Sequence, residues 1–104
     1  MYALVVRFDL RDPASAEAFD VLVADTVRQI RDLEPGTLSY VTHRVEGEPL
    51  ARLFYEVYED RAAFDAHEAQ PHTVRFLTER DRFIVTTRVE FLTPTSGKAL
   101  PGHD

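Results

Sequence analysis

Hydrophobic positions recur along the chain with two different spacings, and the spacing marks its elements. The run from Tyr2 to Asp9 is rich in β-branched and aromatic residues on both faces, which predicts a central strand. Asp12 and Pro13 then read as the cap and first residue of a long helix. Its inward positions follow at helical spacing: Phe19, Leu22, Val23, Thr26, Val27, Ile30 and Leu33.

The long helix is expected to stop at Glu34-Pro35-Gly36. Proline cannot continue a helix, and glycine tolerates a positive φ. Two strands are predicted next, from Thr37 to Val45 and from Leu50 to Glu59, joined by a hairpin turn over residues 46–49. These two strands should pair antiparallel.

The second half of the chain repeats the alternation of helix and strand. Asp60 caps a short helix over about residues 61–69, and Pro71 restarts the chain as a second helical piece over about residues 72–82. A last strand is predicted over residues 84–92. The order βαββαβ predicts an α+β, ferredoxin-like fold: a four-stranded antiparallel sheet with the helical segments on one face. Residues 1–94 would form one domain, and residues 95–104 a polar tail.

The other face of this sheet would be uncovered. Val5, Val41, Tyr55 and Val57 would face that side, and a contiguous apolar patch of this size normally marks an interface. We therefore expect a homodimer packed sheet against sheet, with the tail reaching the partner.

Composition narrows the choice of partners. A formal net charge of −6 repels phosphate backbones and anionic lipid headgroups, so neither nucleic acid nor a membrane surface is an expected partner. The chain has no cysteine, which excludes disulfides and thiolate chemistry within it. It has no signal-peptide pattern and no apolar run of roughly 20 residues, so we expect a cytoplasmic location.

The candidate chemistry lies where the third strand meets the next helix. Glu56 and Tyr58 share one face of the strand, and a carboxylate in an apolar strand requires a partner or a function. His67 falls on the same helical stripe as the apolar Phe64, so its ring should point under the helix. A neutral imidazole there can accept a proton near neutral pH, with Glu56 or Tyr58 orienting it or binding a substrate.

Each of these residues also has a purely structural interpretation. His67 could be a buried histidine that only hydrogen-bonds a carboxylate. Glu56 could form a salt bridge with Arg7 or Arg88 from neighbouring strands. His72 sits in the first turn of a helix, where the helix dipole favours the neutral ring, and it could serve only to start that helix.

No metal or nucleotide cofactor is expected. His67 and His72 are five residues apart across a proline, whereas two ligands on one helix share a face at a spacing of three or four. His43 should face the other side of its sheet. The four glycines, at positions 36, 47, 97 and 102, form neither a Gly-x-Gly-x-x-Gly turn nor a P-loop.

Several short motifs, taken in order, resemble one known family. They are Val5-Val6-Arg7-Phe8, Glu34-Pro35-Gly36 followed by Tyr40, Tyr55 to Asp60, and Ala63-Phe64 with His67, His72 and Phe76. The sequence is similar over about residues 2–94 to the antibiotic biosynthesis monooxygenase family, small dimeric α/β-barrel proteins that include cofactor-independent quinol oxygenases. Tyr58 stands where that family usually has tryptophan.

The resemblance implies a monooxygenase without a cofactor that oxidises a small quinol or phenol with O₂. It implies catalytic roles for His67, Tyr58 and Glu56. The expected substrate-binding residues are Tyr40, His72, Phe76 and Arg7.

Two other functions remain open from the residues alone. The same pocket could serve an isomerase or tautomerase of a small oxygenated metabolite, or a dimeric binding module without catalysis. A cavity of roughly 300 Å³ or more among these residues would favour a ligand site over a filled core.

Overall fold

The computed structural model describes residues 1–98. The elements are β1 (Tyr2–Leu10), α1 (Pro13–Leu33), β2 (Thr37–Val45), β3 (Glu48–Tyr58), α2 (Arg61–Ala69), α3 (Pro71–Glu79), a 3₁₀ turn (Arg80–Arg82) and β4 (Ile84–Leu92). The strands form one antiparallel sheet in the order β2-β3-β1-β4. The predicted ferredoxin-like fold is confirmed, with β1 in a central position. No helix within residues 1–98 is long and apolar enough to span a membrane.

Helix α1 begins and ends where its sequence predicts. The Asp12 side chain accepts a hydrogen bond from the Ser15 backbone N–H at 2.7 Å, and Pro13 occupies the first turn. The helix ends at Leu33, just before Pro35. Its buried face packs on the sheet through Ala16, Phe19, Leu22, Val23, Thr26 and Ile30.

The core lies between the helices and one face of the sheet. Its centre is a cluster of four phenylalanine rings whose centroids are all 4.9–6.2 Å apart: Phe8, Phe19, Phe54 and Phe76. Two strands and two helices each contribute one ring, so the cluster ties α1 and α3 to β1 and β3.

The hairpin between β2 and β3 is tighter than predicted. Strand β3 begins at Glu48 rather than Leu50, and only Glu46 and Gly47 remain as the turn. Gly47 has a φ of 77°, the left-handed conformation that allows a two-residue connection. The predicted turn was too long because Pro49 was assigned to it, although proline is tolerated at the start of a strand.

Gly36 is required for a reason different from the one predicted. Its φ is not positive; Gly47 is the positive-φ glycine among the described residues. A Cβ added at Gly36 would lie 2.8 Å from the Cβ of Ala63 on α2, a distance that no pair of side chains tolerates. Glycine therefore allows the start of β2 and helix α2 to come close together.

The uncovered face of the sheet carries the predicted apolar row. Val5, Tyr55 and Val41 lie side by side across three strands, and Val41 is 47% exposed. Val57 shares this face but is only 1% exposed, so it adds nothing to the exposed patch. Part of the predicted tail, residues 99–104, lies outside the described residues.

Candidate active site

A cavity of about 220 Å³ lies between the helices and the helix-facing side of the sheet. Most of its wall is apolar. Its polar lining residues are Tyr40, Glu56, His67, Glu68, Thr73 and Arg80. This volume is below the roughly 300 Å³ at which a ligand site is favoured over a filled core. It exceeds the roughly 150 Å³ of a cavity that holds benzene, so one substituted aromatic ring fits.

A larger groove, of about 400 Å³, runs between α1 and strands β2 and β3. Its buried arginine, Arg52, already donates two hydrogen bonds to the Asp20 carboxylate, at 2.8 and 3.0 Å. The groove contains none of the residues predicted to act in a site. The smaller cavity is therefore the better candidate.

Glu56 brings a buried carboxyl group into the cavity from the middle of β3. It lies in register between Leu4 of β1 and Tyr40 of β2. Because residues two apart on a strand share a face, Tyr58 lies beside it, and the Tyr58 hydroxyl donates a hydrogen bond to Glu56 Oε1 at 2.6 Å. Burial raises the pKa of Glu56 to about 7, against the opposing effects of this hydrogen bond and of His67. Glu56 can therefore exchange a proton near neutral pH.

Glu34 organises both histidines. It follows the last residue of α1, is buried, and accepts hydrogen bonds at Oε1 from the Thr37 hydroxyl (2.7 Å) and His67 Nδ1 (2.8 Å). Its Oε2 accepts a hydrogen bond from His72 Nε2. Burial by itself would raise the pKa of Glu34, but these hydrogen bonds outweigh burial and lower it. The carboxylate is therefore ionised at neutral pH.

The ionised Glu34 determines which nitrogen of His67 carries hydrogen. A carboxylate only accepts hydrogen bonds, so Nδ1 must be the donor, and Nε2 is left free to accept a proton. The rings of Tyr40 and Tyr58 lie 5.6 and 5.2 Å from the His67 ring, centroid to centroid, and restrict its orientation. A carboxylate that orients a histidine in this way is the usual arrangement of a general base.

Four of the residues predicted for the site line the cavity. They are His67, Glu56, Tyr40 and Phe76. They come from α2, β3, β2 and α3, so the fold brings together side chains that are far apart in sequence. Burial raises the pKa of the Tyr40 hydroxyl, and the nearby Glu56 charge raises it further, so Tyr40 is a neutral hydrogen-bond donor.

Two further predicted residues are buried behind the cavity wall. Tyr58 hydrogen-bonds Glu56, and His72 hydrogen-bonds Glu34. Neither lines the cavity, so the expectation that His72 binds a substrate does not fit this geometry. The burial of Tyr58 and the charge of Glu56 raise the pKa of the phenol, which stays protonated and acts as a donor.

Arg7 is on the opposite face of the sheet and does not reach the cavity. Its guanidinium donates hydrogen bonds to Glu48 at 2.9 Å and to Asp9 at 3.2 Å. Arg88 lies beside it in register on the same face. Contrary to expectation, Arg7 therefore does not belong to this cavity, and neither arginine pairs with Glu56, because strand alternation directs both side chains away from Glu56.

Sequence reasoning overlooked Glu34 and Arg80. The sequence places Glu34 in the helix stop and in a family motif, but assigns it no part in the site. A usable signal existed, since two inward-pointing histidines need a buried hydrogen-bond acceptor, and Glu34 is an acid at the end of a buried helix. Arg80 follows α3 in an ordinary polar stretch, which gives no such signal. Within residues 1–98, no three or more His, Cys, Asp or Glu side chains are arranged to hold a metal ion.

The fold and the cavity define a class: a small α+β protein with an aromatic cavity that carries an oriented histidine and a buried carboxyl group. The sequence profile of the family described as "Antibiotic biosynthesis monooxygenase" matches residues 1–79. The chain therefore belongs to the antibiotic biosynthesis monooxygenase family. No curated protein sequence matches it.

Solved structures share the whole fold at low sequence identity. A proposed antibiotic biosynthesis monooxygenase from Bacteroides thetaiotaomicron is 22% identical, with a TM-score of 0.85 over 99% of this chain and 93% of that one. A protein from Mycobacterium tuberculosis is 23% identical, with a TM-score of 0.85 over 94% and 98%. A protein from Pseudomonas aeruginosa is 22% identical, with a TM-score of 0.82 over 91% and 94%. At these identities the similarity establishes the fold.

Proposed function

We propose that the protein is a cofactor-independent monooxygenase that oxidises a small electron-rich aromatic substrate, of the quinol or phenol type, with O₂. The observation that carries the proposal is the buried Glu34–His67 pair at the wall of an aromatic cavity. Membership of the monooxygenase family supports the oxygen chemistry. The absence of a nucleotide-binding motif in the sequence supports a substrate that supplies its own electrons.

In the proposed reaction His67 acts as the general base. Its Nε2 takes the proton from a substrate hydroxyl, while Glu34 stabilises the imidazolium that forms. Tyr40 donates a hydrogen bond to the resulting oxyanion, and the aromatic wall keeps water from quenching it. Tyr58 and His72 are positioning residues, because they act through Glu56 and Glu34.

The oxyanion then reduces O₂ directly. A 1,4-quinol and O₂ become a hydroxyquinone and water: one oxygen atom enters the ring, the other leaves as water, and the substrate provides all of the electrons. Glu56, with a pKa of about 7, carries protons between the substrate and the reduced oxygen.

Oxygen uptake tests this proposal. With a panel of 1,4-quinols, we expect O₂ consumption above the uncatalysed rate, and His67→Ala should lower kcat by about 10²- to 10⁴-fold, the usual contribution of a general base. His43→Ala is the matched control, because His43 is an exposed histidine on β2. Background consumption with the whole panel, or equal rates for His67→Ala and the unmodified protein, would reject the oxygenase.

Glu34→Gln separates the orientation of His67 from simple structural support. We expect kcat to fall with little change in KM, and the pH–rate profile to shift, because the imidazolium loses its counter-charge. The folded state is checked by circular dichroism. A folded variant with an unchanged kcat and pH profile would mean that the pair is structural.

The Glu56–His67 arrangement also favours a second candidate, an isomerase or tautomerase. Two groups able to carry a proton face one cavity, so one could remove a proton beside a carbonyl while the other returns it elsewhere. Turnover of a ketone substrate under anaerobic conditions would support this function over oxygenation. Tight binding of aromatic compounds without any turnover would instead indicate a binding module.

We propose in addition that the protein is a homodimer packed through the uncovered face of its sheet. The support is the apolar row of Val5, Tyr55 and Val41, with Leu53 beside it. No helix within residues 1–98 packs on this face of the sheet.

A further inference from the structure

The Nε of Arg80 is the one buried side-chain nitrogen or oxygen in the described part of the chain that lacks a hydrogen-bond partner, while the Arg80 side chain as a whole is 23% exposed. Arg80 is the first residue of the 3₁₀ turn after α3 and lines the cavity. Its Nε is buried with no partner, since the closest carboxylate oxygen, Asp81 Oδ1, is 3.9 Å away. A buried N–H without an acceptor is costly and uncommon in native proteins, so this atom points to an acceptor that comes from outside the chain.

The guanidinium is nevertheless held in place. Its central carbon lies 5.4 Å from the ring centre of Phe8 and 6.0 Å from that of Phe76, within the range of a cation–π interaction. Other arginines of the protein are held by carboxylates, as Arg52 is by Asp20 and Arg75 by Asp25 and Glu79. Arg80 packs on aromatic faces, and its ion pair with the exposed Asp81 is long, at 3.9 Å, so no hydrogen bond from within residues 1–98 occupies its N–H edge.

The charged groups around the cavity favour one orientation of a bound ligand. Glu56 and Glu68 line the cavity together with His67, and Arg80 is the arginine among its lining residues. Arg80 lies over Phe8, which is four residues along β1 from Leu4, the partner of Glu56 in register, so an anionic group on a ligand is attracted to the Arg80 end and repelled from the Glu56 end. A planar guanidinium fork matches a carboxylate better than a single acceptor atom.

We propose that Arg80 binds a carboxylate on the substrate, so that the substrate class is an aromatic ring with a hydroxyl at the His67–Glu56 end and a carboxylate at the Arg80 end. This inference rests on the proposed function only for the hydroxyl-bearing ring. Arg80 lies just beyond the family match at residues 1–79. The net charge of −6 makes non-specific attraction of an anion weak, so any preference for a carboxylate has to come from a local site.

The test compares two probes of nearly the same shape under anaerobic conditions, where no oxidation occurs. The probes are 2,5-dihydroxybenzoate, which carries a carboxylate, and its neutral amide, 2,5-dihydroxybenzamide. By titration calorimetry on the full chain, we expect the benzoate to bind about 10- to 100-fold more tightly, the usual effect of one charge-assisted pair. Arg80→Met should bring this ratio close to one.

The matched control is Arg82→Met. Arg82 belongs to the same 3₁₀ turn, but it packs over Phe83 and does not line the cavity, so the preference should persist. Arg80→Lys, which keeps the charge and loses the fork, should give an intermediate ratio. Circular dichroism checks each fold, and the ratio for the unmodified protein remains decisive if Arg80→Met does not fold.

Several results would overturn the inference: equal affinity for the two probes, a preference that survives in folded Arg80→Met, or no binding of either probe at millimolar concentration. The outcome is independent of the oxygenase proposal. A carboxylate preference without O₂ consumption would reject the oxidation and retain the role of Arg80. Consumption of O₂ without a carboxylate preference would support the oxidation and reject the role of Arg80.

Discussion

Two buried carboxyl groups in one layer of this protein have pKa values shifted in opposite directions. Hydrogen bonds from His67, Thr37 and His72 overcome the burial of Glu34 and lower its pKa, so its contribution to stability is present above about pH 4.5 and is lost on acidification. Burial raises the pKa of Glu56 to about 7. The contribution of Glu56 to the free energy of unfolding is therefore fully present below about pH 4.5 and is lost as the pH rises through 7. At neutral pH Glu34 is a fixed anion, whereas Glu56 can gain or lose a proton.

Glu56→Gln should therefore stabilise the protein at alkaline pH. Gln can still accept the hydrogen bond from Tyr58, and it removes the buried charge. A shift from 4.5 to about 7 corresponds to roughly 3 kcal/mol at most. We expect a gain in the free energy of unfolding of about 2–3 kcal/mol at pH 8, shrinking to nothing as the pH falls below 4.5. Urea denaturation at a series of pH values measures it.

The control for this change is Glu59→Gln, at an exposed position close by on the chain, which should have little effect at any pH. A gain for Glu56→Gln that did not vary with pH would show that the carboxyl group is not responsible.

How far sequence predicts individual residues depends on the distance of their partners. Strand alternation and helix spacing correctly placed Glu56 and His67 toward one layer, because those rules are local. They could not supply Glu34, which is 33 residues before His67 in the chain. Nor could they predict the unpartnered Nε of Arg80, because it depends on how the 3₁₀ turn after α3 packs over Phe8.

At the scale of elements, the approach of α2 to the start of β2 depends on one missing methyl group. Gly36→Ala would place a Cβ 2.8 Å from that of Ala63, so either the helix moves or the strand does. We expect a loss of about 1–3 kcal/mol in the free energy of unfolding, as is typical of overpacking, measured by thermal or chemical denaturation.

A double-mutant cycle isolates this contact. Ala63→Gly alone should cost about 1 kcal/mol, the helix penalty of glycine. In the double variant Gly36→Ala/Ala63→Gly, the nearest remaining atom is the Ala63 Cα position, at an ordinary 3.7 Å, so the combined loss should be smaller than the sum of the single losses. Additive losses would show that the close approach is not the cause.

Element boundaries were predictable where caps and prolines determine them. Asp12 and Asp60 begin helices through side chains that accept backbone N–H groups, and Pro71 begins another. The hairpin was predicted two residues too long, because the left-handed φ of Gly47 allows a two-residue turn that composition does not reveal. The need for glycine at position 36 is tertiary, so the local explanation given from the sequence was wrong.

At the scale of the whole molecule, the uncovered sheet face determines the expected assembly. Tyr55 lies at the centre of this face, in register between Val5 and Val41. If the face is a dimer interface, Tyr55→Arg should dissociate the dimer, because it buries an unpaired charge at the interface centre. Analytical ultracentrifugation at micromolar concentration should show a dimer for the unmodified chain and a monomer for the variant.

The matched control for the interface is Val74→Arg, which changes an exposed valine on α3, on the helical side of the molecule. It should leave the dimer intact. A monomer for the unmodified chain at these concentrations, or dissociation by both variants alike, would argue against packing through the sheet. Sequence alternation predicted which face is open, but it could not predict that Val57 on that face is buried.

The cavity wall draws on nearly the full described length of the chain, from Leu4 to Phe91. The orientation of His67 in this wall depends on Glu34, which precedes His67 and His72 by 33 and 38 residues. Contacts over such separations form late in folding, so a nascent chain, a fragment or a partly unfolded form would lack the oriented imidazole. In the proposed oxidation, the reactive aromatic anion would therefore be generated only inside the finished fold, and the turnover rate of a sample would measure its native fraction.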